Sequence, residues 1–166
     1  TYSMLPEAAD LIGDQQVRNM GTIGGSLAHA DPAADWPGVM IAAGAVIHLK
    51  GPDGARSVPA EDFFTGFYMT DLEDNELLTA ISIPSPPEGT RSAYKKFMQP
   101  ASRFAIVGAA AAVTVEGGKI ARVKVAINGL ADAAFAADHI EEALLGKEPT
   151  EANVDAAVEG TGAEVM

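Results

Sequence analysis

Cysteine is absent from the 166 residues. That excludes a disulfide framework, a cysteine-based zinc site and a cysteine-ligated iron–sulfur cluster within this chain. Positive charge is scarce as well: 11 Lys and Arg stand against 23 Asp and Glu, a formal net charge of −12. Without a clustered basic face nothing is available to release counterions from phosphates, so neither nucleic acid nor an anionic membrane surface is an expected partner. No stretch of about 18 apolar residues occurs, and the sequence from Thr1 onward lacks the basic-then-apolar pattern of a secretory leader. The expectation is a cytoplasmic chain without membrane insertion. His29, His48 and His139 are too dispersed for a metal-ligand set, and no acidic pattern of the EF-hand kind is present, so no metal site is expected. A nucleophile elbow, a Walker loop and a GxGxxG fingerprint are missing too, and no catalytic residue is assigned.

What is present suffices for one ordinary core or two small ones: 48% of the residues are hydrophobic. Pro6 to Ile12 predicts a short helix stopped by Gly13. Asp35 is placed to cap a helix through Trp36 to Ala42, ended by Gly44. Val46 to Leu49 predicts a strand, Gly51 to Gly54 a turn into Arg56 to Val58, and Leu77 to Ile83 a further strand. Pro59 to Phe64 reads as a turn and an apolar anchor, and Trp36 with Phe63 and Phe64 reads as core. The run Pro84-Ser85-Pro86-Pro87-Glu88-Gly89 is the clearest linker, which predicts domains over 1–87 and 88–166. Beyond it, Ser92 to Met98, Ile106 to Glu116 and Ile120 to Asn128 read as a meander turning at Gly117-Gly118. Helices over Asp138 to Leu145 and, capped by Thr150, over Glu151 to Val158 complete an α+β layer.

The run from Arg18 to Asp35, RNMGTIGGSLAHADPAAD, packs glycines, small hydroxyls and carboxylates into what reads as an irregular segment. Gly24 and Gly25 carry no Cβ and tolerate positive φ, so consecutive N–H groups can converge on an anion, with Thr22 and Ser26 adding hydroxyls at the rim. The guest such a segment suits is a phosphate. Taken alone, it reads better as a tight turn between elements.

Four blocks extend that reading: VRNMGTIGG, ADPAADWP, DFFTGFYMTDLEDNELLTAISIP and YKKFMQPASRFAIVGAAAAV, with INGL at 127–130. In this order they resemble the FAD-binding medium subunit of the molybdenum hydroxylases, the carbon monoxide dehydrogenase and xanthine dehydrogenase family. The resemblance implies an α+β fold: the second lobe of a PCMH-type FAD domain over 1–87, then a small C-terminal domain with an antiparallel sheet packed by helices. It also implies that the family's first glycine-rich lobe lies ahead of Thr1, and that its last domain continues past the run Gly160 to Met166, so the chain is expected to be a fragment.

By the same resemblance FAD is the cofactor, and Thr22, Ile23, Gly24, Gly25 and Ser26 meet its diphosphate or ribityl chain. Asp35 falls where the family places a carboxylate on FAD, beside the helix-cap role its position offers. Asp31 reads as an Asx-turn or solvated residue. Leu78 aligns with a position that meets the flavin, and reads equally as a core strand residue. Lys96, beside Lys95, aligns with a family lysine near the isoalloxazine, where a cation favours the anionic reduced flavin; taken alone, either reads better as a surface lysine. The implied partners are a large molybdopterin subunit and a small iron–sulfur subunit, and the implied role is to pass electrons to an external acceptor. Two other readings remain: a non-catalytic assembly module, and a domain for another phosphorylated metabolite.

Overall fold

The computed structural model describes residues 1–162; Ala163 to Met166, and with them the last part of the expected C-terminal boundary, lie outside the described residues. Helix α1 (Met4–Leu11) has Pro6 in its first turn, and Gly13, at φ +44°, follows it. The segment expected to be irregular is instead largely helical. Asp14 caps α2 (Gln15–Met20) by accepting from Val17 N at 2.9 Å, and Thr22 caps α3 (Ile23–His29) by accepting from Gly25 N at 2.9 Å. Two side-chain caps outweigh the low helix propensity of paired glycines, each cap being worth about 1 kcal/mol.

Helix α4 (Asp35–Ala42) follows, and its residues from Pro37 to Ala42 are all buried. A helix apolar on every side belongs in the middle of a fold. It packs against both sheets' neighbourhoods: α1 and α3 on one side and the long strands of the second half on the other.

Strand β1 (Val46–Gly51) lies between β2 (Gly54–Pro59) and β5 (Leu77–Ser82) in a three-stranded antiparallel sheet. The turn residue Gly54 has φ +131°. Between β2 and β5 stand a short helix α5 (Ala60–Phe63) and a small hairpin, β3 (Phe64–Gly66) and β4 (Met69–Thr70), whose turn holds Tyr68 at φ +55°. The Pro84 to Gly89 run then leads into a four-stranded antiparallel sheet of order β6-β7-β8-β9: β6 (Thr90–Met98), β7 (Ala105–Glu116), β8 (Lys119–Asn128) and β9 (Phe135–Ala136). Gly117 and Gly118 take φ +58° and +80° in the β7–β8 turn, the left-handed pair that a two-residue hairpin requires. Helices α6 (Asp138–Leu144) and α7 (Glu151–Val158) cover the outer part of this sheet, α7 capped by Thr150.

The main core runs across the linker. Met4, Leu27, Val39, Met40, Ile41, Ile47, Leu49 and Phe63 from the first half pack with Tyr94, Ala110, Ala112 and Ala126 from the second. A smaller core joins Ile120, Val123 and Ile127 to Ile140, Leu144 and Ala157. The alanines of β7 let α4 approach closely: a Cβ on Gly38 of α4 would come 2.9 Å from Asn128 Oδ1. Gly108 on β7 is tighter still. A Cβ there would lie 2.6 and 2.7 Å from the Asn128 carboxamide and closer to the Tyr94 hydroxyl.

Gly108→Ala is expected to cost about 2 kcal/mol through overpacking, lowering Tm by roughly 4–8 °C; an unchanged Tm would show that α4 and the sheet can part to admit a methyl group. Arg56 reaches Asp71 and donates to both Glu76 carboxylate oxygens at 2.7 Å, and these bonds, with one from Glu73 N at 3.0 Å, lower the Glu76 carboxyl to about 2. The folded carboxyl is the stronger acid, so its contribution to stability is complete above the ordinary glutamate range and is lost as pH falls toward about 2. Melting curves of wild type and Glu76→Gln should therefore converge between about pH 5 and about pH 2, whereas a constant gap would assign Glu76 a purely steric role.

Candidate functional site

A cleft of about 640 Å³ opens between α1, α2, α3, the start of α4 and the β6–β7 loop. That is within the ordinary range of ligand sites, about 300–1,000 Å³. Its wall is mainly apolar, with Ile12, Val17, Ile23, Trp36 and Phe104, and its polar groups are concentrated at Arg18, Thr22, Ser26, His29, Asp31 and Arg103. Trp36 therefore serves two surfaces, since it also packs on the main core.

The glycine segment reaches this cleft as the first turn of α3. Thr22, Ile23, Gly25 and Ser26 line it, whereas Gly24 turns inward, where a Cβ would meet Leu78 Cδ2 at 3.7 Å. Neither Gly24 nor Gly25 uses the positive φ that glycine tolerates. Gly25 is needed for a different reason: a Cβ would stand 2.9 Å from Thr22 Oγ1, the cap oxygen itself. The amides of Ile23 and Gly24 occupy helix positions that have no carbonyl one turn earlier. The donor set, the Ile23 amide with the Ser26 hydroxyl and nearby guanidinium groups beside an apolar wall, fits a dinucleotide bearing a diphosphate and a flat ring system.

Asp35 is not the cap of α4. Ala34 occupies that position, without a side-chain bond, and Asp35 is the first helical residue. Its carboxylate is buried at 6% side-chain exposure and points the other way, into the protein, where it accepts from the Tyr94 hydroxyl and from Lys96 Nζ at 2.9 Å. Burial pushes the Asp35 carboxyl above the usual range despite these two donors, and burial together with Asp35 pushes the Tyr94 hydroxyl up. The fully buried Asn128 carboxamide lies beside the same hydroxyl without a well-aligned hydrogen bond. Lys96, whose side chain is 0% exposed, also donates to Leu11 O at 2.8 Å and to Arg103 O at 2.7 Å. All three ammonium protons thus have protein acceptors. Leu78 stands behind α3 with the main core.

The structure brings Thr22, Ile23, Gly25, Ser26 and Asp35 to one cleft and leaves Gly24, Leu78 and Lys96 supporting its walls. Sequence reasoning missed Arg18, Arg103 and Phe104, although two of the quoted blocks, VRNMGTIGG and YKKFMQPASRFAIVGAAAAV, contain them. It also missed the rim formed by the β3–β4 hairpin. Tyr68 donates to Asp31 Oδ2 at 3.1 Å, its ring lies 5.0 Å from that of His29, and Asp31 Oδ1 accepts from Ala33 N at 2.9 Å, the Asx geometry expected there. Among the described residues no group of His, Asp and Glu is arranged to hold a metal ion, and no helix is long and apolar enough to cross a membrane.

Comparison with known proteins places the chain in a class of flavoproteins. Residues 1–86 match the FAD binding domain in molybdopterin dehydrogenase, and residues 92–165 match the CO dehydrogenase flavoprotein C-terminal domain; the chain belongs to this family. It is 41% identical over 156 residues to the carbon monoxide dehydrogenase medium chain of Hydrogenophaga pseudoflava, covering 94% of this chain and 54% of the relative. It is 42% identical over 144 residues to the glyceraldehyde dehydrogenase medium chain of Sulfolobus acidocaldarius, covering 87% and 51%. The solved carbon monoxide dehydrogenase from Hydrogenophaga pseudoflava that lacks the Mo-pyranopterin moiety superposes with a TM-score of 0.94 at 43% identity, over 98% of this chain and 57% of that one. The chain spans about half the length of the relatives it matches. The resemblance expected from the four blocks, the α+β fold with its C-terminal antiparallel sheet, and FAD as the cofactor of the family are thus all met.

Lys96→Met keeps an unbranched stem one atom shorter but leaves the Asp35 carboxylate buried without its cation and the Leu11 and Arg103 carbonyls without their donor. Chemical unfolding should show a loss of about 3–5 kcal/mol. Adding Asp35→Asn should recover part of it, so that the double variant is more stable than Lys96→Met alone. Wild-type stability in Lys96→Met would mean that the cluster contributes nothing net.

Proposed function

We propose that this chain is the FAD-holding part of the medium subunit of a molybdenum hydroxylase. The observation that carries the reading is the single cleft onto which the family's glycine segment, a largely apolar wall and two arginines converge. FAD, when bound, supplies electron transfer through its isoalloxazine. The chain's own residues bind and orient it. The amide of Ile23, with Gly25 leaving room, Gly24 packed behind it on Leu78 and Thr22 holding the turn in shape, meets the diphosphate or the ribityl chain, and the Ser26 hydroxyl adds a donor.

Asp35, Lys96 and Leu78 act on the cofactor by fixing the surfaces around it. Lys96 ties the end of α1 to the β6–β7 loop, Asp35 anchors Lys96 at the start of α4, and Leu78 backs Gly24. Backbone amides are the donors that suit a chain of net charge −12, because they hold an anion locally while the wider field is screened beyond about 8 Å at physiological salt.

These 166 residues hold no cysteine to ligate an iron–sulfur cluster, so a cluster that feeds the flavin would lie outside them. The proposed partners are a large molybdopterin subunit, which oxidises the substrate, and a small iron–sulfur subunit, which delivers electrons to the flavin for transfer to an external acceptor.

FAD titration of the purified chain, followed by quenching of flavin fluorescence, tests the binding claim. Saturable binding is expected, weakened at least about tenfold by Gly25→Val, whose side chain crowds Thr22 and enters the cleft; melting curves confirm that the variant is folded. ADP binding without FAD binding would assign the cleft to another phosphorylated metabolite, and no binding of either would leave the chain a structural module.

A further inference from the structure

Arg103 adopts a backbone conformation that its residue type disfavours. Its φ is +62°, in the left-handed region where glycine sits without penalty. The loop enforces this: Arg103 N donates to Gln99 O at 2.9 Å, Gln99 N donates to Phe104 O at 2.8 Å, and the Arg103 carbonyl is held by the buried Lys96 ammonium at 2.7 Å. An arginine maintained where a glycine would be cheaper points to a use for its side chain.

That side chain crosses toward α1. Its Nη1 donates to Gly13 O at 3.0 Å, and Arg18 approaches the same carbonyl from α2, with Nη1 at 3.5 Å from Gly13 O and 2.7 Å from Ile12 O. Two guanidinium groups therefore converge on one neutral oxygen. Among the described residues neither is ion-paired to a carboxylate, in a chain where acidic residues outnumber basic ones by 23 to 11. The two carboxylates that line the same cleft are engaged elsewhere, Asp31 with Tyr68 and Ala33 N, Asp35 with Lys96 and Tyr94. Each guanidinium has five N–H donors in a planar fork, so most of them remain for a guest that offers several oxygens and negative charge.

We propose that Arg18 and Arg103 form a two-arginine clamp for a phosphoryl oxyanion at the Gly13 end of the cleft. The anion is either the diphosphate of FAD, in which case the clamp rests on the function proposed above, or an exogenous phosphate-class ligand. The phosphate geometry matches the guanidinium fork in both cases.

The test titrates the purified chain with FAD and, separately, with inorganic pyrophosphate, for wild type, Arg18→Gln, Arg103→Gly and Arg103→Lys, with Tm measured for each. Arg103→Gly removes the clamp and relieves the backbone strain in one step, so its affinity should fall at least about tenfold while its Tm is unchanged or higher. Arg18→Gln should lose affinity similarly, and Arg103→Lys, which keeps the charge without the fork, should lose less. Pyrophosphate binding that depends on the arginines without any FAD binding would keep the clamp for an exogenous anion and remove the FAD reading. Equal FAD affinity in wild type, Arg18→Gln and Arg103→Gly would do the reverse. A fall in affinity that tracks a lowered Tm in Arg103→Gly, or no binding of either anion by wild type, overturns the clamp.

Discussion

The buried ammonium of Lys96 is the constraint on which the arrangement of this molecule depends. It has three protons, and each goes to a different part of the chain: the end of α1, the first residue of α4 and the loop between β6 and β7. Burying a lysine is unfavourable unless every proton finds an acceptor and the charge finds a partner. Both conditions are met only when the two halves of the chain are docked in one relative position. Tyr94, from the same strand, then closes the circuit on Asp35, and Gly38 and Gly108 leave the room that this polar cluster occupies. The cleft walls are set as a result, since Leu11 precedes Ile12 and Gly13 on one side while Arg103 stands on the other.

Local signals made much of the fold legible. Gly117-Gly118 between two alternating runs is a hairpin whatever surrounds it, and Thr150 before Glu151 to Val158 is a cap with its helix. The glycine segment was misread because φ tolerance was weighed above capping: Thr22 starts a helix that its paired glycines would not suggest on propensity alone. Asp35 was misread for the opposite reason. Its position before an apolar run is what a cap requires, but its carboxylate is drawn inward by two residues about 60 positions away, and no local pattern reports a partner at that distance. The β3–β4 hairpin escaped notice because Tyr68 occupies a left-handed position at which glycine or asparagine is the usual signal.

The site was half legible for a related reason. A glycine-rich run names itself, whereas Arg18 and Arg103 look like ordinary surface cations until the fold brings both to one carbonyl. Composition even pointed away from them, since a chain of net charge −12 offers no basic patch. Local geometry decides in such a case: a few donors close to a guest outweigh a distant field of opposite sign that salt largely screens.

The core that Met4, Leu27, Met40 and Phe63 share with Tyr94, Ala110 and Ala126 has a consequence for the covalent link between them. The Pro84 to Gly89 run contributes none of these buried side chains, so the peptide bond there joins pieces that noncovalent contacts already hold. Cut within that run, each fragment would keep one side of the Asp35–Lys96 pair and part of the shared core, so that reassociation of the two would restore both.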